Sequence, residues 1–358
     1  MGFNVGDLII FGFKGFDVSS ETQKTILKYG ISNFILFGPT NPNNNYSSKQ
    51  QLIELTDQLQ TIKSNPQLPV IISVDQEGGK VQRFINDFTR LPSALKVSQK
   101  NSVPLAFELA QIQAKELFAA GIQLNFAPVC DINTNPANPV IGDRAYGSDE
   151  PSVSKIVTAI VRGHLTQNVE PCIKHFPGHG DTHTDSHFAL PTVTTPLETL
   201  KSREWTPFHR AMKSGCNFLM SAHIMLPHLD PEFPGTLSKI FLKKYLREEL
   251  FFQGVVVSDD MQMQAITANY GATEAPLLAL EAGCDLLCYR TEEQAIIALE
   301  AIEKAIADKR LSLSQLEASV SRVKKVRSQL KLAKNVMNMD ERLKWIGNPE
   351  HQAIIQQF

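Results

Sequence analysis

Apolar runs of five to seven residues alternate along most of the chain with longer segments whose apolar positions recur every three or four residues. The short runs predict eight strands: Asp7–Phe13, Asn33–Gly38, Val70–Asp75, Gln123–Val129, Pro171–His175, Asn217–His223, Gly254–Asp259 and Asp285–Tyr289. The longer segments, among them Ser48–Ser64, Leu105–Ala120, Glu150–Gln167, Thr199–Ser214 and Ser238–Phe252, predict helices. Several end at a glycine just ahead of the next strand (Gly121, Gly215, Gly254, Gly283), as a C-terminal glycine stop would place it. The strands are apolar along most of their length, which suits a parallel sheet covered on both faces.

Eight strands, each followed by a helix or a long loop, predict an α/β fold, a (β/α)8 barrel of the TIM type. A doubly wound open sheet is the alternative. No GxGxxG follows the first strand, which weakens its dinucleotide-binding form. Beyond the eighth strand, Thr291–Asp308 and Leu311–Leu330 predict a C-terminal helical extension, and the polar tail Lys331–Phe358 is expected to pack loosely on the outside. With no linker and no internal repeat, residues 1–335 are assigned to one barrel and residues 336–358 to a tail outside it.

Composition narrows the picture without changing it. The 358 residues, 42% apolar, are enough for one barrel core. Thirty-five basic against 37 acidic residues argue against a nucleic-acid partner, and no apolar stretch approaches the roughly 18 residues of a membrane span. The N-terminal MGFNVGDLIIFGF lacks a basic region ahead of a short apolar run, so it reads as the first strand and not as a signal peptide; a cytoplasmic location and a monomer are the expectation. A myristoylation site is discounted, because position six is Gly6 and not Ser or Thr. Cysteines 130, 172, 216, 284 and 288 are odd in number and mostly scattered, which fits free thiols in a reducing compartment. Cys284 and Cys288 are close, but no Cys or His nearby completes a metal site.

In a barrel, chemistry collects at the C-terminal ends of the strands. Ionisable residues gather there in SVDQEGGKVQR (73–83), APVCDINTNPANPVIGDRAYG (127–147), SAHIM (221–225) and VVVSDDM (255–261). The densest stretch is KHFPGHGDTHTDSHFALP (174–191), with four histidines, two aspartates and a lysine between Lys174 and His187. Taken singly, each group has a structural reading. Asp75 could cap a turn, Arg144 could pair with Asp143 or Asp149, and Asp259 or Asp260 could cap the next helix. Their convergence on one rim favours a site. Histidines 175, 179, 183 and 187 are spaced by four, as on a metal-binding helix face, but Pro177, Gly178 and Gly180 remove that helix. No metal and no cofactor are assigned.

KHFPGHGDTHTDSH, VDQEGGKVQRF, IGDRAYG and GVVVSDDM, in this order, resemble glycoside hydrolase family 3, in particular its single-domain bacterial β-N-acetylglucosaminidases of cell-wall recycling. The resemblance runs from about Gly6 to Leu330. It implies a retaining double displacement through a glycosyl-enzyme, with Asp259 as nucleophile and Asp260 as the competing assignment. It also implies His187 as acid/base, oriented by Asp185. An imidazole titrates near neutral pH, and a neighbouring carboxylate fixes its tautomer. Sugar hydroxyls fall to Asp75, Arg83, Arg144, Lys174 and His175, with His223 as a further pocket residue. His179 and His183 are assigned to loop structure. The chain departs from the family at Gln262, where a small residue is common, and it lacks the second α/β sandwich domain of many members.

The activity this implies is exo-hydrolysis of terminal β-linked N-acetylglucosamine from small muropeptide fragments, GlcNAc-anhydro-N-acetylmuramic acid and its peptides. A phosphorylase is an alternative on the same scaffold, since a histidine acid/base repels incoming phosphate less than a glutamate would. So are a β-glucosidase without acetamido preference, catalysis assisted by the substrate's own acetamido group, and an inactive sugar-binding protein.

Overall fold

The computed structural model describes residues 3–63, 65–182 and 190–358. Its eight strands are β1 (Ile9–Gly12), β2 (Asn33–Ile35), β3 (Ile71–Val74), β4 (Leu124–Asn125), β5 (Glu170–Phe176), β6 (Phe218–Ser221), β7 (Val255–Asp260) and β8 (Leu286–Tyr289). Each pairs in parallel with the next, and β8 pairs back to β1, closing the predicted barrel. The predicted β4 is the longest overestimate: Gln123–Val129 shrinks to two residues, and the chain beyond it passes through a cis Ala127–Pro128 bond.

Although the strands read as nearly continuous apolar runs, their side chains alternate between two cores. Ile10, Ile35, Ile71, Leu124, Cys172, Phe218, Met220, Val255, Val257, Leu286 and Cys288 fill the barrel interior. The intervening Ile9, Phe11, Phe34, Ile72, Leu219, Val256 and Leu287 join the layer between sheet and helices. The interior-facing parity continues upward from Ile71 to Asp75, from Cys172 to Lys174, from Val257 to Asp259 and from Cys288 to Arg290. These four residues all line the cleft at the C-terminal end of the barrel.

Helices Lys49–Leu59, Val103–Ala119, Glu150–Thr166, Trp205–Lys213, Glu292–Ala307 and Leu313–Arg327 are among those that surround the sheet. Side chains of Ser48, Ser102, Asp149 and Ser312 accept the backbone N–H that each helix start leaves unpaired. The predicted helix Ser238–Phe252 forms over Ile240–Glu249 in wider π geometry. Gly121, Gly215 and Gly283 adopt positive φ after their helices, as expected. Gly254 does not; there Phe251 takes the left-handed position, and a side chain at Gly254 would strike the carbonyl of Asn217 on the neighbouring strand.

Helix Leu313–Arg327 closes the opposite end of the barrel. Val323 and Val326 join the interior core, and Arg327 donates to Pro69 O at 2.7 Å, Ser32 Oγ at 2.8 Å and Asp7 Oδ1 at 3.2 Å, all just ahead of β1–β3. With that end sealed, access is from the strands' C-terminal side. The polar tail packs more tightly than its composition suggests. Helices Met339–Trp345 and Pro349–Ile355 lie on Val103–Ala119. Buried Arg342 donates to Ala119 O and to Asp57 at 2.7 Å each, and His351 Nδ1 lies 2.7 Å from Glu116. All five cysteines are buried and free, and among the described residues no helix is long and apolar enough to cross a membrane.

Candidate active site

The cleft holds roughly 250 Å³ and is lined from strand ends β2 through β8. Five sequence-predicted residues meet on its β3–β5 side. Asp75 follows β3 and receives Lys174 Nζ at 2.9 Å and Arg83 Nη2 at 3.3 Å. Arg144 and His175 complete the set, their rings and guanidinium 3.4 Å apart between His175 Nε2 and Arg144 Nη2. Lys174 and His175 end β5 and are joined by a cis peptide.

Two carboxylates absent from the sequence assignment organise these cations. Glu77 takes both Nε and Nη2 of Arg144 at 2.8 Å in a two-pronged pair, and Lys174 Nζ at 2.6 Å. It stands two residues after Asp75 in DQEGG, so the alternation that picks out Asp75 also reaches Glu77. Asp131, fully buried, accepts His175 Nδ1 at 2.7 Å and the amide of His179 at 2.7 Å. Its motif, APVCDIN, carried no assignment. His179, assigned to loop structure, lines the cleft. Gly180 beside it has no room for a side chain, because the carbonyl of Ile132 lies against it.

The electrostatics of this half are nearly closed on themselves. Burial alone would raise the Glu77 carboxyl, but Arg144 and Lys174 outweigh it and hold the group well below the usual carboxylate range. Asp75 is likewise lowered against burial by Lys174 and Arg83, and Lys174 is raised by Asp75 and Glu77. All these groups are charged at neutral pH, so the cleft presents fixed donors and acceptors for neutral hydroxyls.

Asp259 faces the same cleft from β7. The β7–β8 register shifts between Val257 and Asp260, a local irregularity of the kind that re-aims side chains at strand ends. Burial raises the Asp259 carboxyl, but His223, His175, the Asp260 amide and Lys174 outweigh it and bring it to about 2. Its Oδ1 accepts the Asp260 amide at 2.7 Å.

Asp260 also lines the cleft, but its side chain is engaged by other groups. Its Oδ2 lies 2.9 Å from Arg290 Nε, its Oδ1 accepts the Gln262 amide at 3.0 Å, and its carbonyl lies 3.1 Å from His223 Nε2. Arg290, at the end of β8, carried no sequence assignment and also donates to Gln262 O at 3.1 Å.

His223 is not brought to the cleft. It is 1% exposed and sits beside β7, with Nδ1 2.8 Å from Thr236 Oγ1. Asp185, His187 and His183 lie outside the described residues. Among the described residues, no three His, Cys, Asp or Glu side chains converge as metal ligands.

Residues 4–326 match the glycosyl hydrolase family 3 N-terminal domain. Relatives include the β-hexosaminidase of Neisseria meningitidis, 34% identical over 286 residues, covering 77% of this chain and 76% of that protein. The β-hexosaminidase of Xylella fastidiosa is 34% identical, covering 79% and 83%. Among solved structures, the family 3 β-N-acetylglucosaminidase of Paenibacillus sp. str. FPU-7 superposes with a TM-score of 0.89 at 36% identity, over 99% of this chain and 67% of that one. With a matching model over most of its length, a barrel of the same shape and a convergent rim of carboxylates and cations, the chain belongs to glycosyl hydrolase family 3.

Proposed function

We propose that the chain is a retaining exo-β-N-acetylglucosaminidase that removes terminal N-acetylglucosamine from small muropeptide fragments, GlcNAc-anhydro-N-acetylmuramic acid and its peptides, as a cytoplasmic monomer. The observation that carries the activity is Asp259: an ionised carboxylate facing a one-ended cleft beside Asp75, Lys174, Arg144 and His175. The names borne by the relatives point the same way. The substrate's origin and the location rest on the sequence resemblance.

In this reading the hydroxyls of a terminal sugar bind Asp75, Arg83, Arg144, Lys174 and His175, which orients the anomeric carbon over Asp259. Asp259 attacks that carbon as the glycosidic C–O bond breaks, through an oxocarbenium-like transition state. His187, oriented by Asp185, gives its proton to the departing oxygen. The imidazole then takes a proton from water, which displaces Asp259 from the glycosyl-enzyme. The test is hydrolysis of nitrophenyl β-N-acetylglucosaminide and of the muropeptide disaccharide, with the product anomer read by NMR. The β-anomer is expected first. Release of the α-anomer, or full activity in Asp259→Ala, overturns the mechanism.

A further inference from the structure

The cleft contains an aspartate–histidine pair in which His175 is assigned to sugar hydroxyls but Asp131 has no role from the sequence motifs or the family match. Asp131 leaves β4 in the segment that runs alongside β5, where Cys130 N donates to Lys174 O at 2.6 Å. Its side chain is fully buried, and each of its oxygens has a fixed client. Oδ1 accepts the amide of His179 at 2.7 Å. Oδ2 accepts His175 Nδ1 at 2.7 Å. The His175 amide reaches both oxygens, at 3.3 and 3.2 Å. On the other face of the same ring, His175 Nε2 lies 3.4 Å from Arg144 Nη2, and both residues line the cleft.

We propose that Asp131 is a positioning residue for sugar binding, holding His175 with its proton on Nδ1 so that Nε2 presents a lone pair to a substrate hydroxyl. Two independent contacts select this tautomer. A carboxylate can only accept, so the nitrogen facing Asp131 carries the hydrogen. A guanidinium can only donate, so the nitrogen facing Arg144 does not. The cleft gains an uncharged acceptor next to Arg144, a donor. A hydroxyl can accept from Arg144 while donating to His175, a pairing that a second cation in place of the neutral imidazole could not supply. Glu77 keeps Arg144 fixed at 2.8 Å, and the longer 3.4 Å contact to His175 Nε2 is the one a hydroxyl replaces when it accepts from Arg144 and donates to Nε2.

The same contacts define what a single-atom change does. In Asp131→Asn one oxygen becomes an NH2 group, and both positions face donors. With NH2 at the Oδ2 position, His175 Nδ1 must accept. Its proton then moves to Nε2 and points at Arg144 and at the incoming hydroxyl. With NH2 at the Oδ1 position, the ring keeps its tautomer, but the His179 amide loses its acceptor. An aspartate-to-asparagine change beside a histidine can enforce the wrong tautomer while leaving the surrounding geometry in place. Losing one such hydrogen bond weakens binding by roughly tenfold.

The inference rests on the sugar-binding reading of this cleft, and the experiment separates the two. Wild-type protein with 15N-labelled histidine is titrated with N-acetylglucosamine, with His175 assigned through His175→Gln. The expected spectrum has Nδ1 protonated and Nε2 bare in the free protein, with the Nε2 signal moving as sugar binds. In Asp131→Asn the two signals exchange where the amide NH2 takes the Oδ2 position, and KM for nitrophenyl β-N-acetylglucosaminide rises about tenfold, with a smaller change in kcat. A wild-type protein that binds the sugar with His175 protonated at Nε2 overturns this inference alone. So does an Asp131→Asn variant with wild-type KM. Absence of any N-acetylglucosamine binding by the wild type overturns the inference together with the functional reading. The wild-type spectrum decides the tautomer even where the variant folds poorly.

Discussion

Lys174 Nζ lies 2.6 Å from Glu77 Oε1, joining the end of β5 to the loop after β3 by a contact almost closed to solvent. The lysine side chain is 2% exposed and the glutamate 7%. Neither sits on a surface where such a pair would contribute little; both belong to a buried charge network that also holds Asp75 and Arg144.

Glu77→Ala leaves both Lys174 and Arg144 short of an anion in the interior, with Asp75 as the remaining carboxylate on Lys174. Removing one partner of a buried pair costs about 3–5 kcal/mol. Urea unfolding is expected to show a loss of that order. The residual enzyme should have a raised KM, because Arg144 loses the fork that orients it. A variant within about 0.5 kcal/mol of wild type would mean that water reaches these cations freely.

Asp259 and Asp260 are adjacent in sequence but differ in what surrounds them. Both line the cleft, but Asp260 is committed to Arg290 and to the turn at Gln262, while Asp259 accepts the Asp260 amide. Asp259→Ala is expected to lower kcat by about 10⁴-fold or more, as loss of a nucleophile does. Asp260→Asn should retain activity and lose stability through Arg290. A 2-fluoro glycoside should label the peptide carrying Asp259, located by mass spectrometry of digests. Labelling at Asp260 would reverse the assignment, and an unlabelled protein under turnover conditions would favour assistance by the acetamido group.

The barrel was legible because strand composition and glycine stops report on a sheet covered from both sides, and eight such units leave few topologies. The rim was legible in part. Asp75, Lys174 and Asp259 stand on strands whose interior parity their own apolar neighbours reveal. Glu77 shares the parity of Asp75, but its role of holding Arg144, 67 residues away, is not written locally, and Asp131, which holds His175 across 44 residues, has no such signal. Local alternation can mark a position as facing the cleft, but not the distant partner it holds. His223 looked like a rim residue for the opposite reason: it ends its predicted strand in the right place, but the chain turns it inward onto Thr236.

Glu204 gives a prediction about pH. Buried beneath the segment that leaves β5, it pairs with Arg203 through Oε1 at 2.6 Å, and its Oε2 has no partner. Burial raises its carboxyl to about 7, against Arg203, which lowers it. A carboxyl raised from 4.5 binds its proton more tightly in the folded state. Its contribution is therefore complete below pH 4.5 and is lost as the pH climbs toward 7. Glu170, raised by burial to about 7, acts with the same sign. His164 and His179, lowered by burial to about 4, act with the opposite sign between about 4 and 6.5. Only the difference between proteins is diagnostic. The gap in unfolding free energy between Glu204→Gln and wild type should shift in the variant's favour from pH 5 to pH 8. A constant gap would place the wild-type carboxylate in contact with water.

Arg342 tests whether the tail contributes to stability without contributing to chemistry. Its side chain is 2% exposed, spans from Ala119 O to Asp57, and leaves Nη2 without a hydrogen-bond partner among the described residues. The cation thus joins helix Met339–Trp345 to the C-terminal end of Val103–Ala119, on the outer face of the barrel and away from the cleft. Arg342→Ala removes the buried charge together with its packing, and strands Asp57, which is one-third exposed and can rehydrate. The expected cost is about 2–3 kcal/mol, below that at Glu77 because one partner regains water. KM and kcat should stay within about twofold of wild type at a temperature where the variant is folded, since sites this far apart with no shared partners behave additively. Differential scanning calorimetry and steady-state kinetics on the same preparation check both halves. A stable variant with impaired KM would show that the tail acts on the cleft through the Val103–Ala119 helix and Gln113, which reaches the Gln76 carbonyl.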